Sequence, residues 1–233
     1  MELSHEISTI SILAIGFLLG VQHAVEADHL AAVSTIVSEK KSLVSASIVG
    51  GFWGIGHTIS LFAVGVAVIV LKLQIPESFE TTVEACVGVM LVCLGANAIW
   101  KLFRTEKFHA HIHTHGRREH LHFHEHANEE AESHHRFGPR SIFIGMLHGL
   151  AGSAALMLLL IPTIPSPALA LGYILVFGFG SILGMMAMSF LIGLPLHFTA
   201  YSFNVINSGI RLFAGLFSLG LGAFMIAERV FPA

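Results

Sequence analysis

The residues best suited to chemistry sit in "HAVEADH", where His23, Glu26, Asp28 and His29 fall within seven positions, flanked by the apolar runs "SILAIGFLLGVQ" and "LAAVSTIV". Imidazole nitrogens combined with carboxylate suit divalent nickel, cobalt, zinc or copper, and suit magnesium or calcium poorly, because those ions prefer all-oxygen shells. No thiol lies close in sequence, which argues against a soft cuprous site. On a regular helix His23, Glu26 and His29 share one face while Asp28 points away. Asp28 therefore joins the others only if the helix unwinds or overwinds locally.

Two further histidines lie in apolar company: His57 in "GFWGIGHTIS" and His148 in "GMLHGLAGSAAL". Either alone reads equally well as a satisfied structural histidine. Together with His23 and His29 they favour one shared polar site, with Glu26 and His148 as secondary members. Glu26 would serve as a ligand or as an acceptor that orients an imidazole. His197 in "GLPLHFTA" reads as interfacial, Glu84 and Arg211 as boundary charges, and Asn97 as a residue that bridges helices or lines the path.

Such a cluster needs elements to hold it in an apolar setting. Of the 233 residues 54% are hydrophobic and 12% charged, against about 25% charged in soluble domains; the chain reads as an all-α membrane protein. A span needs roughly 20 apolar residues, and six segments qualify: about 6–38, 44–71, 82–103, 140–161, 168–193 and 207–229. The first is too long for one straight span and should kink or break. A charge at mid-membrane costs about 2.5–3.5 kcal/mol, so the clustered residues imply partners or a polar cavity, and broken helices are tolerated at that depth only where they line one.

With the N-terminus outside, ten of the twelve lysines and arginines fall on the cytoplasmic side, as the positive-inside rule asks. This places both termini outside and residues 104–139 in the cytoplasm. That loop holds ten of the sixteen histidines: His109, His111, His113, His115, His120, His122, His124, His126, His134 and His135. It reads as a disordered metal-binding tract with weak, exchangeable sites. No basic stripe suggests nucleic acid. The acidic start "MELSHEIS" does not read as a removable signal peptide. Cys86 and Cys93, seven apart on one helical face, read as small core residues.

The halves 1–103 and 140–233 resemble one another. His23 aligns with His148 at an offset of 125, Gly54, Gly56 and His57 with Gly178, Gly180 and Ser181 at 124, and Gly88 and Gly95 with Gly215 and Gly222 at 127. Three spans per half is odd, so the halves would be inverted repeats, with a binding site near the midplane where they meet.

"HAVEADHLAAVS" resembles the HX4DH signature of the nickel/cobalt transporter family, and "GFWGIGHTIS" is similar to that family's second, glycine-flanked histidine motif. "MLHGLAGSAALMLL" resembles the shorter branch that contains the urease accessory protein H type nickel permeases. The resemblance implies nickel or cobalt permeation, with His23, Asp28, His29 and His57 as metal-recognition residues. It implies partners among cytoplasmic nickel chaperones or urease maturation proteins. The chain departs from longer members in carrying the signature in the first of six spans, in Glu26 where aspartate is common, in Ser34, and in Gly149 to Ala155 where those members carry an acidic motif.

The function expected is uptake of Ni2+ or Co2+ across the cell membrane, without a prosthetic group and without enzymatic activity. Efflux by a transporter of the same family is the alternative, since a histidine-rich cytoplasmic loop also resembles the exporters. An intramembrane serine hydrolase using Ser153 is the alternative from another class, although Ser153 reads equally as a small residue at a helix interface.

Overall fold

A computed structural model of the chain describes residues 2–38, 40, 42–105, 110–115, 118–123, 137–151, 164, 166–199 and 204–230. Among them run seven α-helices: α1 (Glu2–His23), α2 (Ala27–Val37), α3 (Leu43–Ile69), α4 (Glu77–Thr105), α5 (Phe137–Gly149), α6 (Pro167–Thr199) and α7 (Asn204–Val230). Four helices are long and apolar enough to cross a membrane: Leu43–Ile69, Glu77–Arg104, Pro167–Thr199 and Val205–Val230. The first expected span is a bent pair, Thr9–His23 and Ala27–Val37, meeting at 55°. The expected span at 140–161 begins as α5, but residues 152–163, which include Ser153, lie outside the described residues.

Helix ends follow local chemistry. α4 opens behind Pro76 with Glu77 and Glu80 in its first turn and closes with Arg104 in its last, charges that complement the helix dipole at each end. α6 opens with Pro167, whose missing N–H costs nothing at the first position, while Ser166 Oγ accepts from the Leu169 N–H at 3.1 Å. At its far end the Asn207 amide of α7 donates to the Leu196 carbonyl at 2.9 Å, which also accepts from the Thr199 hydroxyl at 3.4 Å, so one of the terminal carbonyls is satisfied by side chains.

The helices pack through glycine. α1 lies against α6, α3 against both α5 and α6, and α4 against α7, while α2 is wedged against α7, α4 and α6. A Cβ added at Gly20 would collide with the Phe177 carbonyl, and one at Gly145 with the Trp53 carbonyl. A Cβ at Gly180 would strike Phe17, and one at Gly56 would strike Ile142. In the α4–α7 pair, Gly88 faces Gly222 and Gly95 faces Gly215. Backbones meeting this closely gain dispersion contacts that lipid cannot offer a bulkier helix. Ser218 and Ser47 tie elements together by donating to the carbonyls of Leu91 at 2.9 Å and Met186 at 3.1 Å.

Three expectations differ from what is observed. Cys86 and Cys93 do share a face of α4, but both are exposed, beside Val89 and Trp100. The buried face carries Val87, Leu91 and Leu94 together with Gly88 and Gly95. In a membrane chain the outward face is as apolar as the inward one, so small size alone did not place the cysteines. In the histidine-rich segment, expected to lack regular structure, Ala110–His115 and Arg118–Phe123 pair as an antiparallel hairpin, β1 and β2, with His111 opposite His122 and His113 opposite His120. Glu84 is not a lone boundary charge, because it forms an ion pair with Arg229 between α4 and α7.

The glycine crossings give a direct expectation. Gly56→Leu or Gly180→Leu should destabilise the protein by about 3 kcal/mol, the upper end of ordinary overpacking, read as a lowered thermal midpoint in detergent. Gly220→Leu, where nothing lies within 4 Å of the added carbon, should leave the midpoint unchanged.

Candidate metal site

The site is built where α1 ends. No glycine or proline interrupts "HAVEADH", yet the helix stops at His23 and restarts at Ala27, with Glu26 extended at φ −64 and ψ 151. The break leaves terminal groups needing partners. The carbonyls of Gln22 and His23 accept from the N–H groups of Val25 at 3.0 Å and Glu26 at 3.1 Å. The Gly20 carbonyl accepts from the Ser181 hydroxyl at 3.1 Å. At the start of α2 the Asp28 carboxylate accepts from the His29 N–H at 2.8 Å, and its negative charge suits the positive end of that helix.

The same turn recurs at the end of α5. There the carbonyls of Leu147 and His148 accept from Leu150 at 3.3 Å and Ala151 at 3.0 Å. Two helix C-termini, each with a histidine in its last turn, therefore converge, and their partial negative charge favours a cation between them.

The break brings Asp28 beside the histidines. Asp28 Oδ1 lies 3.0 Å from His29 Nδ1, and Oδ2 lies 3.1 Å from His148 Nε2, out of line for a hydrogen bond. Glu26 Oε1 accepts from His23 Nδ1 at 2.9 Å, and His23 Nε2 faces His57 Nε2 at 3.1 Å. His23, His29, His57 and His148 are all buried, and Asp28 has 21% of its side chain exposed. Glu26 stands at the edge with 43% exposed, consistent with orienting His23. Ligand atoms of His23, His29 and His57 lie within 4.8 Å of one another, as do those of Asp28, His29 and His148. All six residues singled out from sequence thus meet at one place. His197, in the last turn of α6, rests its ring on Phe198 and is not part of either group. Asn97 borders a cavity between α2, α4 and α5 with Thr35, Lys40, Arg140 and Ser141.

The donor set fits a transition metal. His29 Nε2, His57 Nδ1 and both ring nitrogens of His148 are buried with no hydrogen-bond partner. Each such atom costs about 1–3 kcal/mol in an apolar interior, an outlay that packing does not explain. Two nitrogens bound to one metal at about 2.1 Å stand roughly 3.0–3.4 Å apart, and the His23–His57 nitrogens are already at 3.1 Å.

One neighbour escaped the sequence reading. Trp53 is buried, stacks on His29 at 5.4 Å with an interplanar angle of 21°, and presents an edge to His148 at 5.4 Å. It precedes His57 by four positions, and residues i and i+4 share a helix face, so the spacing was available. Phe177 covers His23 from α6 at 5.5 Å.

Metal that binds the folded protein raises its stability, by about 2.7 kcal/mol at a hundredfold excess over Kd. Ni2+ should therefore raise the thermal midpoint, and His29→Ala should abolish the rise. Glu26→Gln should weaken binding by about 10-fold or more, as loss of an orienting carboxylate does elsewhere, checked by the Ni2+ concentration needed for the same shift.

Residues 9–202 match a family model described as high-affinity nickel-transport protein. The chain is 39% identical over 207 residues to the urease accessory protein UreH of Bacillus sp. (strain TB-90), covering 89% of this chain and 87% of the relative. It is also 24% identical to two Arabidopsis thaliana proteins, chloroplast protein FOR GROWTH AND FERTILITY 2 and 1, matching 93% of this chain in each case. It spans 56% and 59% of their lengths. No solved structure matches the chain. With its several apolar helices, this is a multi-pass membrane protein of a transport family and not an enzyme: the chain belongs to the high-affinity nickel-transport protein family.

Proposed function

We propose that the protein is a permease that takes up Ni2+, or Co2+, through the cluster of His23, Asp28, His29, His57 and His148, with Glu26 orienting His23. The observation that carries this is the set of buried imidazole nitrogens without partners, on His29, His57 and His148, gathered beside one carboxylate. Nitrogen and carboxylate donors favour nickel and cobalt over magnesium and calcium.

The architecture proposed is six spans in two inverted three-helix repeats. The helix crossings support it. Gly20 meets Phe177 as Gly145 meets Trp53, and Gly180 meets Phe17 as Gly56 meets Ile142. Each contact maps onto its mate by an offset of 124 or 125, and Gly88–Gly222 maps onto Gly215–Gly95 by 127. A two-fold relation in the membrane plane produces such exchanged pairs. Both termini are then outside and the histidine-rich loop is cytoplasmic, where it would buffer arriving metal and meet nickel chaperones or urease maturation proteins; the similarity to a urease accessory protein supports that last step.

Energetics allow uptake without ATP. A dication moving inward gains about 4.6 kcal/mol per 100 mV of interior-negative potential, and release follows local rearrangement where the repeats meet. In proteoliposomes holding an interior-negative potential, Ni2+ entry followed by an entrapped dye should exceed the rate in empty vesicles, and His29→Ala should return it to background. Whole cells should accumulate more nickel when they make the protein. A fall in accumulation would assign export instead.

A further inference from the structure

We propose that the cluster holds the ion at two successive positions that share His29, so that permeation is a handover between two ligand sets. The inference rests on the permease function proposed above. The first set is His23, His29 and His57, and the second is Asp28, His29 and His148. No grouping brings all four histidines within ligating distance of one another among the described residues, and the rings of His57 and His148 stand 6.1 Å apart. As they stand, the two sets have only His29 in common.

The two sets differ in chemistry. Three neutral imidazoles discriminate by donor type, turning away hard cations that hold oxygen shells. The second set replaces an imidazole with the Asp28 carboxylate and so offsets one of the ion's two charges. His23 closes α1, which enters from the outer face in the proposed topology, and His148 lies in the last turn of α5, which enters from the cytoplasmic face. The sets therefore follow one another along the path, selection first and charge compensation second. Two dications a few ångströms apart would repel, with Asp28 as the single carboxylate in the two sets to offset four charges, so occupancy alternates.

His29 is the hinge of this scheme, and its ring is held. Nδ1 faces Asp28 at 3.0 Å, Nε2 has no partner, and one ring face lies against Trp53. Its neighbours His23 and His148 lie at ring-centroid distances of 4.4 and 4.2 Å, both edge-on. Removing His57 or His148 should thus leave one set complete, whereas removing His29 damages both.

The test uses the full chain in nanodiscs with the ten loop histidines replaced by glutamine and with Trp100→Phe, which leaves Trp53 as the one tryptophan of two. Co2+ and Ni2+ quench that emission, and X-ray absorption counts the imidazoles on the bound ion. His57→Ala and His148→Ala should each bind one ion, with affinity within about tenfold of the parent, while liposomal flux falls to background. The ion should carry three imidazoles in His148→Ala and two plus carboxylate in His57→Ala. His29→Ala should show no quenching. If His57→Ala and His148→Ala both lose binding as completely as His29→Ala, or carry the same ligand set, the cluster is a single site and the two-position proposal is overturned. If His29→Ala still transports at the parental rate, the permease function assigned to this cluster fails, and the handover fails with it.

Discussion

Everything in this structure depends on the rule that a polar group in an apolar interior must find a partner. A helix interrupted in the middle of a membrane breaks that rule unless its freed carbonyls and N–H groups are taken up. Here they are: Gln22 and His23 are closed by the following turn, Gly20 by Ser181 from α6, and the first turn of α2 by Asp28. Beside the break, the buried side-chain atoms left without a hydrogen-bond partner include His29 Nε2, His57 Nδ1 and both ring nitrogens of His148, atoms that a metal can use.

Close packing supplies the rest of the geometry. The histidines of α3 and α5 come together where those helices touch backbone to backbone at Gly56 and Gly145, and α1 is held against α6 in the same way at Gly20 and Gly180. The Trp53 carbonyl lies against Gly145 while the Trp53 ring lies against His29 and His148. One residue thus joins the α3–α5 crossing to the orientation of the ligands.

Much of the site was legible because charge and imidazole are costly in apolar sequence and so stand out against it. The seven-residue spacing of "HAVEADH" also carried the helix break, since Asp28 cannot share a regular helical face with His23 and His29. What was not legible divides by physical cause. Trp53 was hidden because an aromatic residue in a hydrophobic run carries no compositional signal, only a phase relative to His57. Cys86 and Cys93 were misplaced because lipid-facing and protein-facing positions have the same polarity. The hairpin pairing of His111 with His122 was invisible because alternating histidines resemble a solvated tract until strand register is known.

The placement of α2 has a mechanical consequence. This short helix carries Asp28 and His29 at one end, and along its length it packs against α4, α7 and α6. Meanwhile α4 and α7 form a tight couple of their own, clasped at Gly88–Gly222 and Gly95–Gly215 and pinned by Glu84 with Arg229. The couple touches the α1–α3–α5–α6 bundle chiefly by way of α2. Sliding of that couple would pull on α2 as on a lever, and the load would arrive at Asp28 and His29, the two side chains that α2 contributes to the cluster.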